Sequence, residues 1–208
     1  MTKKEMIIKG LCVNHSAKME GMVSFSTSTE TNSFCNKMRC IDGSICQKCF
    51  AHRMSLRLGS KFIDKYKNND WIKTYILQDD EIPFLNVAYF RFEAFGELET
   101  ETQLNNYLTI ARKNPHCRFA LWTKRVDLLK NLGCKPKNVN IIVSSPMTNK
   151  QVDLDALPSV VDGVFTVYDK KFAADHDVKI NCGGKKCINC LKCYKKHSKK
   201  IIVNELVK

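Results

Sequence analysis

The chain has 208 residues, 44% of them apolar, enough to bury one full-sized core and near the upper end of a single ordinary domain. Its 34 Lys and Arg against 21 Asp and Glu give a formal charge of +13, which favours polyanionic partners through counterion release and long-range steering. No apolar run approaches the about 18 residues of a membrane span. Lys3, Lys4, Glu5 and Lys9 also stand where a signal peptide would be apolar, so the expectation is a soluble cytoplasmic protein with no membrane partner.

Taken in chain order, residues 22–28 (MVSFSTS) alternate apolar and polar side chains and predict a strand. A Ser/Thr/Asn-rich loop then leads to Cys35. From Cys46 onward Phe50, Met54 and Leu58 recur every four residues, which predicts a helix stopped by Gly59. VAYFRF (87–92) reads as a strand, and residues 101–113 as a helix with Leu104, Leu108 and Ala111 on one face, ended by Pro115. RFALWTK (118–124) is a strand again, and a short helix over 126–132 stops at Gly133. NIIVSS (140–145) and GVFTVY (163–168) supply two more short, β-rich runs. Strands alternating with helices predict an α/β fold with a mostly parallel sheet and ligands at the C-terminal strand ends. The expected organisation is a core over 1–178 with a cysteine loop at 35–49, followed by a cysteine-rich, metal-binding appendage with a Lys-rich tail at 179–208.

Eleven cysteines in a chain with no export signal point to metal ligation rather than disulfides. The distal group is Cys182, Cys187, Cys190 and Cys193 in NCGGKKCINCLKCY. Its CxxCxxC spacing lets one tight wrap place three sulfurs on three corners of a cuboidal cluster, with Cys182 for the fourth, and Gly183 and Gly184 free the loop to fold back. Zinc is the rival, since four thiolates also suit a tetrahedral ion. Either site is closed, hence structural or electron-transferring. The proximal group is Cys35, Cys40, Cys46 and Cys49 in FCNKMRCIDGSICQKCFA, on a loop between a strand and a helix. It admits three readings: a closed four-thiol knot, a triad of Cys40, Cys46 and Cys49, or a triad of Cys35, Cys46 and Cys49.

Cys40, Cys46 and Cys49 form Cx5CxxC, which resembles, with a longer first gap, the Cx3CxxC loop of radical S-adenosylmethionine enzymes. There three thiolates hold a 4Fe-4S cluster and one iron stays open to chelate the cofactor. Gly96-Glu97 follows the strand VAYFRF, and the resemblance implies that this turn receives the cofactor's amino group. The segments SFCNKM, CQKCFA, RFEAFGELE, NPHCRFALWTKR, IIVSSP, VFTVYDK and INCGGKKCINCLKCY together resemble the phage gene-product-88 family over roughly residues 20–195. That resemblance implies a phage or mobile-element origin, hence the cytoplasm of an infected or prophage-bearing bacterium, and a radical-enzyme-like partial (β/α) barrel.

Other residues are candidates by position. Arg91 and Glu93 flank Phe92 and, on a strand, share a side, so both join Gly96 and Glu97 as candidate cofactor contacts or else form an exposed ion pair. Trp122 and Lys124 share a face at a strand end, where a ring and a cation suit a cofactor or substrate, although core packing also explains Trp122. Ser144 and Ser145 lack the His and carboxylate of a serine nucleophile, and the five His are scattered. Cys12, Cys117 and Cys134 read as small apolar residues. After Gly184 come Lys185, Lys186, Lys192, Lys195, Lys196, Lys199, Lys200 and Lys208 against the single acid Glu205: a solvated tail, or a surface for nucleic acid or another polyanion. Two functions follow as expectations: a radical S-adenosylmethionine-like enzyme with an auxiliary cluster, or a non-catalytic nucleic-acid-binding protein stapled by zinc or a cluster.

Overall fold

The computed structural model describes residues 1–15 and 17–207. Seven strands form one open sheet in chain order: β1 (Leu11–Val13), β2 (Val23–Phe25), β3 (Tyr89–Phe92), β4 (Arg118–Thr123), β5 (Val139–Ser144), β6 (Gly163–Tyr168) and β7 (Ile201–Leu206). β1 runs antiparallel to β2, and every later pair is parallel. Strand order without reversal lacks the switch point of a doubly wound sheet, and crossovers of one hand then fall on one face. The opposite face is left for something else to cover.

Eight α-helices accompany the strands among the described residues: α1 (Lys3–Gly10), α2 (Ser33–Arg39), α3 (Phe50–Leu58), α4 (Ser60–Lys67), α5 (Glu101–Lys113), α6 (Val126–Leu129), α7 (Lys170–Asp175) and α8 (Cys187–Cys190). α5 starts where the Thr100 hydroxyl accepts from the Gln103 amide, a side-chain cap of the usual kind. The apolar stripe read from the sequence is its buried face. Leu104, Leu108 and Ala111, with Tyr107 and Ile110, pack on Phe90, Phe92, Phe119, Leu121, Ile141 and Val143. Phe92 stacks between Tyr107 at 4.2 Å and Phe119 at 5.2 Å between ring centroids. Each such side chain, fully buried, contributes about 1.5–3 kcal/mol.

Residues 182–194 lie across the other face. Tyr194, Cys187, Ile188, Leu191 and Cys193 pack with Met22, Ala120 and Trp122, and Cys182 and Cys193 reach Ile142 and Val203. β5, covered on both sides, is buried at all six residues, as the apolar run Ile141–Val143 at its centre requires.

This overturns the expectation of a C-terminal appendage and tail. Ile201–Leu206 is a full strand, in parallel register with β6 from Gly163↔Ile201 to Tyr168↔Leu206. Gly163 makes that pairing possible, since a Cβ there would lie 2.4 Å from Ile201 Cγ1 and 2.5 Å from its carbonyl oxygen. Lys208 lies outside the described residues. Two further expectations are corrected. The helix after Cys49 exists, but Phe50 is 57% and Leu58 49% exposed, and Ala51 and Ser55 face inward instead. The segment before Cys40, read as loop, contains α2, capped by the Asn32 side chain, which accepts from Cys35 N at 2.9 Å. No helix among the described residues is long and apolar enough to cross a membrane.

Candidate metal centre

The proximal cysteine segment leaves the C-terminal end of β2 and is fastened over the ends of the next three strands. Asn32 Nδ2 donates to the Glu97 carbonyl at 3.0 Å, and Ser33 N to Glu99 Oε1 at 2.8 Å, in the turn after β3. Ile45 N donates to the Pro146 carbonyl at 3.0 Å, and Ser44 bridges Met147, beyond β5. Ligands of parallel sheets gather at this edge.

Three of the four proximal thiols lie within electrostatic reach of one another there. Cys35 interacts electrostatically with Cys46 and Cys49, and the Lys124 ammonium interacts with all three. Burial, then the Glu97 carboxylate, pushes the Cys35 thiol far up, with Lys124 pulling the other way. Burial opposes the charge on Lys124, yet Glu97 and then the thiols raise it to about 12, so it stays cationic beside the sulfurs. Cys40 is exposed at the end of α2, and its thiol turns back to the Asn36 carbonyl at 3.5 Å. Cys40 is five helical steps on from Cys35, about 140° of rotation and about 7.5 Å of rise, so the two thiols leave the helix in different directions. Cys49 is the N-cap of α3 and no side chain caps that helix. Its first amides therefore have no side-chain acceptor, and the thiol of Cys49 stands at a helix end of the kind that favours anionic sulfur.

Glu97 is 3% exposed and engaged through both oxygens. One oxygen accepts from Thr123 Oγ1 at 2.6 Å and Leu98 N at 2.9 Å, and the other from Lys124 N at 2.9 Å with Lys124 Nζ at 3.7 Å. The carboxylate thus ties the end of β4 to the turn after β3 and holds the lysine near the sulfurs.

Arg91 and Glu93 do not share a side, contrary to the strand reading. Glu93 adopts φ 54, which ends the alternation and swings its side chain toward α5. There it accepts from Gln103 Nε2 at 2.7 Å, Thr27 N at 3.2 Å, Thr27 Oγ1 and the Tyr107 hydroxyl. Burial raises its pKa to about 7 against these donors. Gly96 serves this carboxylate, since a Cβ there would sit 1.8 Å from Glu93 Oε2 and 2.7 Å from the Thr27 carbonyl oxygen.

Arg91 goes instead to the distal group. Its guanidinium lies 3.9 Å from the Trp122 ring centroid, a cation–π contact, and acts electrostatically on Cys187 and Cys193. Cys193 is raised to about 12, first by burial and then by Cys182. Asn140 Nδ2 holds the wrap from β5, donating to the Cys193 carbonyl at 3.0 Å, and Lys18 Nζ reaches Cys182 Sγ at 3.2 Å. Trp122 and Lys124, read from the sequence as neighbours on one strand face, lie one on β4 and one just past its end, and serve different cysteine groups.

Among the described residues, no three His, Cys, Asp or Glu side chains form a ready set around a single metal ion. A cuboidal cluster takes each thiolate on a different iron, so its ligands need not converge on one point. The donor sets fit such a group. All eight candidate sulfurs are free thiols, and two buried donors near the distal sulfurs, Arg91 Nε and Tyr194 OH, have no partner. Buried donors without acceptors are uncommon, and the sulfurs of an anionic cluster supply acceptors. Of the other cysteines, Cys117 is a buried apolar filler as expected, whereas Cys12 accepts from Lys65 and Cys134 is exposed. Sequence reasoning missed Lys18, Asn140 and Tyr194. Only Tyr194 carried a signal, as the aromatic directly after the last cysteine.

Fold and site together define a mostly parallel, sequentially wound α/β protein with one cysteine group at the C-terminal strand edge and another on the sheet's face. The chain belongs to the Gene product 88 family, whose match extends over residues 13–203 and takes in both cysteine groups. No curated protein and no solved structure matches it.

Proposed function

We propose that the chain is an iron-sulfur protein of the radical S-adenosylmethionine type, with an open proximal cluster on Cys35, Cys46 and Cys49 and a closed auxiliary cluster on Cys182, Cys187, Cys190 and Cys193. The observation that supports the reading is the proximal arrangement: three thiols lie within electrostatic reach of Lys124 at the C-terminal strand edge, whereas the Cys40 thiol turns back to the Asn36 carbonyl. Three thiolates leave one corner for a small molecule, whereas four would close the site. When bound, such a cluster supplies one electron to a sulfonium, splitting S-adenosylmethionine into methionine and a 5′-deoxyadenosyl radical. The chain's own part is to hold the three thiolates, to balance their charge with Lys124, and to fix that lysine through Glu97. In this reading the Glu97 carboxylate positions Lys124 rather than receiving the cofactor's amino group, because the chain's own Thr123, Leu98 and Lys124 donors already take most of its acceptor sites.

Protein reconstituted with iron and sulfide without oxygen, then given dithionite and S-adenosylmethionine, releases 5′-deoxyadenosine. Cys40→Ala releases it too, and Cys35→Ala does not. No release from wild-type protein carrying both clusters overturns the proposal.

A further inference from the structure

The segment after the distal cysteines is a fixed arc. Asn140 Nδ2 donates to the Lys195 carbonyl at 2.7 Å, and Lys200 Nζ donates to the Leu154 and Leu157 carbonyls at 3.1 and 3.2 Å. Ile201 N then donates to the Asp162 carbonyl as β7 begins. Both ends of the stretch 195–200 are therefore tied to the sheet. The arc and the residues before β5 enclose a cleft of about 380 Å³ at the N-terminal ends of β5, β6 and β7, the edge opposite the proximal cysteines. Lys135, Lys137, Lys195, Lys196, Lys199 and Lys200 line it.

Charge in this cleft is unbalanced. Its one acid, Asp162, is consumed by Lys135 at 3.0 Å and the Ile141 amide at 2.7 Å, and Lys200 is spent on carbonyls. Lys137, Lys195, Lys196 and Lys199 are exposed and none forms an ion pair with a described residue. Holding like charges together costs free energy unless a polyanion neutralises them. The cleft has no aromatic ring on which a base could stack, apart from the imidazole of His197, which bonds the Lys192 carbonyl. None of the exposed large apolar side chains lies in it, so neither insertion into a bilayer nor an apolar protein interface is provided for.

We infer that this cleft binds the phosphate backbone of a nucleic acid, without base readout, through Lys137, Lys195, Lys196 and Lys199. The site does not depend on the chemistry at the proximal cysteines. Four phosphates neutralised correspond to a slope of log K against log salt of about −3.6 on duplex DNA.

The test is fluorescence anisotropy of a labelled 20-base-pair DNA with the full chain as purified without oxygen, from 50 to 200 mM salt, roughly the range over which such contacts are lost. Wild type is expected to bind with that slope, alike on two unrelated sequences. Replacing the four lysines with Gln lowers affinity at the lowest salt by more than about tenfold and flattens the slope to near zero. A charge-matched variant with Lys4, Lys9, Lys61 and Lys67 changed to Gln keeps most of both. Equal losses in the two variants overturn the inference in favour of diffuse net charge. Absence of DNA binding by wild type overturns it, as does tighter binding to vesicles with one-third phosphatidylserine than to DNA.

Discussion

Cys35→Ala, Cys46→Ala and Cys49→Ala each leave the protein with about four irons per chain instead of about eight, whereas Cys40→Ala keeps the full complement. The expectation rests on direction rather than spacing. Cys46 lies within the 3-10 turn Ile45–Lys48 and Cys49 ends it ahead of α3, and Cys35, near the start of α2, interacts electrostatically with both. Cys40 stands about 140° round that helix from Cys35. Its thiol already has a backbone acceptor, the Asn36 carbonyl. Because bound metal stabilises only the folded state, the three depleted variants also unfold at lower temperature than Cys40→Ala. Iron content by mass spectrometry after anaerobic purification checks the prediction. Loss of four irons from Cys40→Ala would mean a closed, four-thiol site.

Gly96→Ala destabilises the chain by about 3 kcal/mol, the range expected when a methyl group is forced into a filled interior. The new Cβ meets a backbone carbonyl at 2.7 Å, which cannot move as a side chain can, and the Glu93 carboxylate at 1.8 Å. Displacing that carboxylate would break bonds to Thr27, Gln103 and Tyr107 inside the core. Denaturant unfolding measures the loss, and a change within 0.5 kcal/mol, about the size of a surface substitution, would sink the account. The same carboxyl makes stability depend on pH. Its pKa rises from 4.5 to about 7 on folding, so between those values the folded state binds more protons than the unfolded state. Stability is therefore greatest below the lower value and falls as pH rises toward the upper. The nearby groups that titrate or carry charge are Tyr107, which donates to it, and Glu97, which repels it. Glu93→Gln removes this contribution to the slope.

Much of the fold was legible because a helix and a strand bury different periods. Leu104, Leu108 and Ala111 recur as a helix face must, and that face is the one on the sheet. GVFTVY fell on β6 residue for residue because Gly163 and the β-branched run leave no competing structure. β7 was obscured because Lys195 to Lys200 precede it, and charge density alone does not distinguish a free tail from an arc tied at both ends. Phe50, Met54 and Leu58 gave the correct period and the wrong phase, since the inward face of α3 is built of small Ala51 and Ser55. At the candidate site the residue types were readable and their directions were not. Glu93 left its expected side through a single positive φ, and such a backbone state, costing about 1–3 kcal/mol in a non-glycine residue, is repaid only by contacts distant in sequence. Arg91, read beside Glu93, and Trp122, read beside Lys124, instead meet each other next to the distal cysteines, because residues 182–194 fold back over the sheet.

The central claim, two cluster-binding thiolate sites in one chain, is tested most directly by the metal and sulfide content of the wild-type protein purified without oxygen. The account predicts a brown protein with about eight irons and as many acid-labile sulfides per chain. A colourless protein with about two zincs per chain and no labile sulfide would contradict it, because four thiolates around each zinc would close both sites.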